Sequence, residues 1–329
     1  MTQIRVCMIG CGGFAQLCHG PSQRRIAASD PEVQWVACCD TDPGRAQAYA
    51  RSFGFRRFYT DSLAMLGAEK PDAVIMAVPP PVTCAAAVPV LERGFRVLLE
   101  KPPGLTTAEL ERLIAAAAGG SQVQVAFNRR RMPVLLKARE ILDAEFPLAP
   151  VGRLDYEMVR FDRWDEDFST TAIHAVDAAL FLARSPVCDA EFRFQDQDHG
   201  RRTTANVELN ATCASGLSIQ ITIQPVAGRN AESARISSVG RTLIVKVPAS
   251  PVPEERGALE FWRGNVRVEA IADDARDTGE RFGVLGETED FLNAVRSGSA
   301  FTPNLQECRQ QVVLMEAMRL RRSGPIRFT

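Results

Sequence analysis

The sequence predicts an α/β fold over residues 1–127, built on a doubly wound parallel sheet. For residues 128–329 it predicts an α+β domain with an open, mainly antiparallel sheet. Three observations carry this division. Short apolar runs alternate with helical patterns up to residue 127, and continuously apolar strands belong to parallel sheets covered on both faces. Right-handed crossovers wind such units into one sheet. The first apolar run also passes directly into a glycine-rich turn. After Asn128, strand-like segments follow one another closely with no long helices between them, which favours antiparallel pairing.

The elements follow in order. The first strand, Ile4–Ile9, leads through glycines to a helix ending near residue 26. The second is Val33–Cys39, after which Asp42 and Pro43 supply an N-cap and a first-turn proline for a helix to Phe53. The third, 72–78, stops at Pro79-Pro80-Pro81. A helix over 84–92 leads to the fourth, 95–99. Thr106 and Glu109 have capping-box spacing before an Ala-rich helix ending at Gly119-Gly120, and 122–127 is the fifth strand. In the second part a helix over 133–144, a strand over 152–161 and a helix over 170–183 come first. Strands at 205–213, 217–224, 234–238, 242–247, 259–262 and 266–270 follow, and helices over 288–295 and 305–320 close the chain. Residues 270–281, acidic and loop-like, are the expected mobile stretch.

Of the 329 residues, 46% are apolar and 24% charged, as in globular proteins with a substantial core. A net charge of -1 gives no electrostatic footprint for nucleic acid or an anionic membrane. No apolar run reaches membrane-spanning length, and the N-terminus lacks a signal peptide's shape. The nine cysteines include no C-x-x-C pair and read as reduced core thiols, so the expected compartment is the cytoplasm. None of the three histidines is spaced to share a metal with another histidine or a cysteine, so no metal is expected.

Gly10-Cys11-Gly12-Gly13-Phe14-Ala15 fits G-x-G-x-x-A between a strand and a helix, which is the context of a dinucleotide site. Gly10 permits the turn, Gly12 lets backbone approach a pyrophosphate, and Ala15 is small where helix packs on strand. The helix start presents amides and partial positive charge to the phosphates. Asp40 ends the second strand, where a carboxylate accepts from ribose hydroxyls and repels a 2′-phosphate, so NAD is expected over NADP. Asp42, close by, is the competing candidate.

With Glu100-Lys101-Pro102-Pro103 the sequence resembles the Gfo/Idh/MocA family (glucose–fructose oxidoreductase, inositol dehydrogenase and rhizopine-catabolism proteins). The resemblance rests also on the glycine turn, Asp40, Tyr59-Thr60-Asp61, Pro71-Asp72-Ala73-Val74, Val78-Pro79 and Phe127-Asn128-Arg129-Arg130. It extends through His174-Ala175-Val176-Asp177 to Asp290-Phe291-Leu292-Asn293-Ala294-Val295. It implies a Rossmann domain followed by an α/β domain whose open sheet often forms the oligomer interface, hence a homodimer or homotetramer. It implies hydride transfer between nicotinamide and a hydroxyl or ketone of a sugar, cyclitol or related polyol. Lys101 would polarise the oxygen and His174 act as acid and base, since an imidazole titrates near neutral pH. The implied cofactor contacts are Gly10, Gly12, Gly13, Phe14, Ala15, Asp40, Pro79, Thr83, Glu100 and Lys101. The substrate contacts are Arg129, Thr170 and Asp177.

Two positions depart from the family pattern. Thr170 stands where many members carry an aspartate four residues before the histidine, and Thr83 where members usually have a histidine. Thr170, His174 and Asp177 fall at i, i+4 and i+7, one stripe of a helix, and Asp177 or Asp167 can stand in for the missing carboxylate. Arg129, Arg130 and Arg131 can meet a carboxylate or phosphate, or serve as surface charge. Trp164 can stack on a sugar. Two other readings share the fold: a non-catalytic NAD-binding regulatory protein and an NAD-retaining glycoside hydrolase.

Overall fold

The computed structural model describes residues 3–117, 122–146, 152–165, 167–249, 256–272 and 277–328. The chain forms two compact units, Met1–Arg131 with Asp277–Val312, and Met132–Arg276 with Val313–Thr329. The division is discontinuous, where the sequence suggests one boundary between residues 127 and 128.

The first unit opens with β1 (Ile4–Ile9), a π-helical turn (Ala15–His19), α1 (Gly20–Ser29), β2 (Val33–Cys39) and α2 (Pro43–Phe53). The Asp42 carboxylate caps α2, accepting from the amides of Gly44 and Arg45 at 2.8 and 3.1 Å. Next come β3 (Arg57–Tyr59), α3 (Ser62–Glu69), β4 (Ala73–Met76), α4 (Pro80–Leu91), β5 (Arg96–Glu100), α5 (Thr107–Ala116) and β6 (Val123–Ala126). The parallel strands lie in the order β3-β2-β1-β4-β5-β6. Order reverses between β1 and β4, and open α/β sheets bind ligands at the carboxyl ends of strands at such a switch point. The residues of β1, β4 and β6 are almost wholly buried, which is why their sequence runs apolar instead of alternating.

β3 and α3 are not evident in the sequence pattern. Three residues at a sheet edge, two of them exposed, give β3 too little periodicity to read. α4 starts at the prolines that seem only to end β4, because proline suits the first turn of a helix. Thr106 caps α5 by accepting from the Glu109 amide at 3.1 Å, while Glu109 returns its carboxylate to the amide of Leu105 at 2.6 Å. The expected stop at Gly119-Gly120 lies outside the described residues.

The second unit contains α6 (Pro133–Glu145), β7 (Arg153–Phe161), α7 (Ser169–Ala183), β8 (Val187–His199), β9 (Arg202–Cys213), β10 (Ser218–Ala227), β11 (Ala231–Ser238), β12 (Arg241–Val247), β13 (Ala258–Arg263) and β14 (Val266–Ala272). The chain returns to the first unit with α8 (Thr278–Arg281) and α9 (Val284–Ser297). α10 (Arg309–Arg319) then leads back to the second unit's β15 (Ile326–Arg327). Of the expected mobile stretch 270–281, residues 273–276 lie outside the described residues. Its end is the helical turn α8, capped by Asp277, which accepts from the Glu280 amide at 2.9 Å.

The second sheet runs β14-β13-β12-β11-β7-β10-β9-β8-β15. It is antiparallel except where β10 lies parallel to β7, with Ile221 beside Tyr156. That pair is joined by a crossover through α7, so close spacing along the chain is no guide to its direction. β8 escapes the sequence pattern because its sequence, VCDAEFRFQDQDH, buries only Val187, Ala190 and Phe192. α6 lies against β12 and β13, and α7 against β7 and β10. Arg153, Asp155, Gln220 and Arg235 are on the other face. There Asp155 pairs with Arg153 and Arg235 at 2.6 and 2.8 Å. Against the helices, the buried Glu232 carboxylate accepts from both Tyr156 and Arg160.

Candidate functional site

Backbone geometry dictates the glycine turn. Gly10 has φ +92°, and a Cβ there would sit 2.1 Å from the Ala77 carbonyl oxygen. Its amide donates to the Cys39 carbonyl at 2.8 Å, tying the turn to β2. Gly12 and Gly13 are different: a Cβ on either meets nothing within 4 Å. Phe14 stands 42% exposed, whereas Ala15 is buried where the helical chain packs on the sheet.

Asp40 faces this turn. Its Oδ2 accepts from the Cys11 amide at 2.9 Å and its Oδ1 from the Asp42 amide at 2.9 Å, while Arg45 forms an ion pair with Oδ1 at 3.1 Å. A carboxylate oxygen has two acceptor positions, so each oxygen of Asp40 spends one on a backbone amide. Asp42 spends its Oδ1 on the α2 cap. Of the two aspartates, Asp40 is the one hydrogen-bonded to the turn, through the Cys11 amide. Arg45 was not singled out by the sequence; its place in the first turn of α2, five residues after Asp40, is the signal that finds it.

Two thiols beside this turn, Cys11 and Cys39, are held toward their neutral form. The Cys11 thiol is pushed far up by a hydrogen bond with Cys38 and by burial, and Cys39 is raised to about 12 by burial and the Asp40 charge. Such thiols are inert packing groups. Of the nine cysteines Cys188 is the exception to core packing, being exposed on β8.

Lys101 follows β5 and is half-buried; the Lys101–Pro102 peptide is cis. Glu100 points inward, its Oε1 2.8 Å from His19 Nε2 and its Oε2 accepting from the Lys101 amide at 3.2 Å. Both oxygens are therefore engaged within the protein. His19 is fully buried, and only its count, not its place, entered the sequence reading. Pro79 is exposed at the start of α4. The buried Thr83 donates its hydroxyl to the Pro79 carbonyl at 3.2 Å, so it can only accept from a ligand. Arg129 is buried in the short turn Asn128–Arg131, Arg130 lies over the Phe127 ring at 5.6 Å, and Arg131 pairs with Asp290.

In the second unit, α7 is buried along most of its circumference. Thr170 and His174 are among its partly exposed residues, while Asp177, three residues after His174, is fully buried. The Thr170 hydroxyl donates to the Asp167 carbonyl at 3.2 Å. Asp167 itself accepts from the Ser169 amide at 3.0 Å, as an N-terminal cap would. Trp164 donates its indole N–H to Asp162 at 2.7 Å and lays its ring against His199. Arg163 is spread over Asp165, Thr171 and the Phe168 ring.

A doubly wound sheet of order 3-2-1-4-5-6 with a glycine turn after its first strand defines a dinucleotide-binding domain. Residues 4–127 match the family model GFO_IDH_MocA, described as "Oxidoreductase family, NAD-binding Rossmann fold". The match lies within the first 127 residues of the chain. D-Apiose dehydrogenase of Paraburkholderia graminis is 33% identical over 187 residues, 53% of this chain and 48% of that enzyme. Inositol 2-dehydrogenase 1 of Saccharopolyspora erythraea is 28% identical over 191 residues, 56% of each chain. The matches span about half the length of these curated relatives. A Gfo/Idh/MocA family oxidoreductase from Vibrio cholerae shares the fold with a TM-score of 0.78 at 20% identity, over 97% of this chain and 98% of that one. Among the described residues no helix is long and apolar enough to cross a membrane.

Proposed function

We propose that this protein is an NAD-dependent dehydrogenase or reductase acting on a hydroxyl or ketone of a sugar, cyclitol or related polyol. The observation that carries the reading is the glycine turn. Gly10 is required by the backbone, Gly12 and Gly13 have open space, and Asp40 lies against the turn with acceptor capacity left on its carboxylate. That arrangement fits the adenosine and pyrophosphate of a dinucleotide. Helix-start amides would face the phosphates, and Asp40 Oδ2 would accept from a ribose hydroxyl while repelling a 2′-phosphate. The Asp40 carboxylate favours NAD over NADP.

When bound, NAD accepts or returns a hydride at its nicotinamide. In the oxidative direction His174 takes the hydroxyl proton, and the Lys101 ammonium stabilises the negative charge that develops on that oxygen. In the reductive direction both roles reverse. Thr170 hydrogen-bonds without titrating, so the proton stays with His174. Arg129 and Thr170 are the proposed substrate contacts, with Pro79 and Thr83 flanking the cofactor; Asp177, fully buried in α7, has no surface to offer a substrate. Kinship with D-apiose and inositol dehydrogenases supports a polyhydroxylated substrate. The polar open face of the second unit's sheet is the proposed surface for a homodimer or homotetramer, and the cytoplasm the proposed compartment.

The test is NAD+ reduction across a panel of D-apiose, other sugars, sugar acids and inositols. At least one member should turn over. Lys101→Ala and His174→Ala should each lose about 10²–10⁴-fold in rate, with NADH affinity changed less than about threefold. Wild type and both variants binding NADH equally, with no turnover of any panel member, would overturn the enzyme reading.

A further inference from the structure

His19 lies outside every role assigned above, yet its surroundings are specific. It closes the π-helical turn Ala15–His19 directly after the glycine turn. Single π turns inside helices are rare and frequent at functional sites, because one extra residue redirects the side chains that follow. Here the redirected imidazole is fully buried, with Nε2 2.8 Å from Glu100 Oε1 and the edge of the Phe14 ring against it at 5.5 Å. Phe14 belongs to the glycine turn itself. Glu100 is 8% exposed, and its second oxygen accepts from the backbone amide of Lys101 at 3.2 Å. A buried carboxylate must keep its hydrogen bonds, so removing the imidazole releases Glu100 to turn or draw in water. The other ring nitrogen, Nδ1, has no protein partner among the described residues. A continuous line of contacts therefore runs Phe14–His19–Glu100–Lys101, all within the first unit.

We propose that His19 is a positioning residue that transmits cofactor seating at the glycine turn, through the Glu100 carboxylate, to the backbone of Lys101. The proposal rests on the reading that Lys101 serves the reaction, but its test does not depend on turnover. Substitutions at His19 sort by reach. Glutamine carries an amide nitrogen where Nε2 stands. Asparagine, one carbon shorter, cannot reach Glu100, and leucine offers no donor.

The measurement is hydrogen exchange at the Lys101 amide in the full chain, with and without saturating NADH. In wild type and His19→Gln, NADH should slow this exchange about tenfold. In His19→Leu and His19→Asn the amide should exchange about tenfold faster than wild type, and NADH should no longer slow it. Cooperative melting and retained NADH binding confirm that the variants are folded, and asparagine carries the test if leucine fails to fold. A Lys101 amide that exchanges at the wild-type rate in a folded asparagine or leucine variant, or that NADH slows equally in all variants, overturns the proposal. Failure of the function reading has a different signature: Lys101→Ala would keep wild-type turnover whatever the exchange data show. If Lys101→Ala does lose turnover, adding His19→Leu to it should cost less than about threefold more, whereas a full additive loss places His19 outside this line.

Discussion

At the glycine turn the groups presented to a ligand are backbone amides and one carboxylate. On α7, Thr170 and His174 are partly exposed side chains of a helix that is otherwise mostly buried. The turn is rigid by construction, since a Cβ on Gly10 would meet the Ala77 oxygen at 2.1 Å. Any residue but glycine fails there, whatever its chemistry. On α7 the backbone is an ordinary helix, and the outcome depends on which side chain occupies each exposed position. A backbone-built site therefore tolerates few sequences and can be read from its glycines. A side-chain-built site tolerates many, and each variant such as Thr170 changes the chemistry without changing the fold.

Four substitutions can break or sharpen that contrast. The largest effect belongs to Gly10→Ala, which combines a positive φ with a backbone collision. We expect a stability loss above about 4 kcal/mol by denaturant unfolding, with NADH binding lost. Gly12→Ala should do the opposite, leaving stability within about 0.5 kcal/mol while weakening NADH binding at least tenfold. Equal effects of the two would mean that the open space at Gly12 faces no ligand.

In the second unit, Glu232→Ala strands the buried Arg160 guanidinium, whose other acceptors are the Val159 and Ala231 carbonyls at 2.9 and 3.3 Å. Breaking a buried ion pair costs about 3–5 kcal/mol. Thermal unfolding should show that loss, with NADH affinity at 25 °C changed less than about threefold. A large fall in NADH affinity would contradict the assignment of the dinucleotide to the first unit's turn.

The smallest effect concerns Asp277, cap of α8 and partner of Arg25 at 2.7 Å. Burial alone would raise its carboxyl, but hydrogen bonds from the Glu280 amide and Arg25 outweigh it and hold the group below the usual range. A depressed carboxylate stabilises the folded state above its unfolded pKa of about 3.9, and that contribution disappears as pH falls through the folded value. Asp277→Asn should therefore lower stability by about 1 kcal/mol or less at pH 7, with the difference shrinking below about pH 4. A difference independent of pH would remove charge from the explanation.

The same contrast explains how much was legible in the sequence. β1, the glycine turn, Asp40 and the Asp42-Pro43 cap follow from apolar continuity and from residues only one backbone shape accepts. β3 and β8 do not, because both bury few residues and carry polar ones, so hydrophobic periodicity fades. The parallel β7–β10 pair is likewise invisible, since direction is set by the crossover and not by strand composition. His174 stands in α7 within residues that resemble the family, whereas its surroundings depend on helix packing. His19 was missed because a single histidine in a helical pattern gives no hint of the π turn that directs it at Glu100. Arg45 was missed because an exposed arginine gains meaning only beside Asp40.

The central claim is that the turn and Asp40 hold NAD, and titration of NADH and NADPH into wild type and Asp40→Ser tests it most directly. Wild type should bind NADH at least about tenfold tighter than NADPH, the scale of one lost hydrogen bond plus charge repulsion. Asp40→Ser should weaken NADH and narrow that ratio. Equal binding of the two nucleotides by wild type, or an unchanged ratio in Asp40→Ser, would contradict the account.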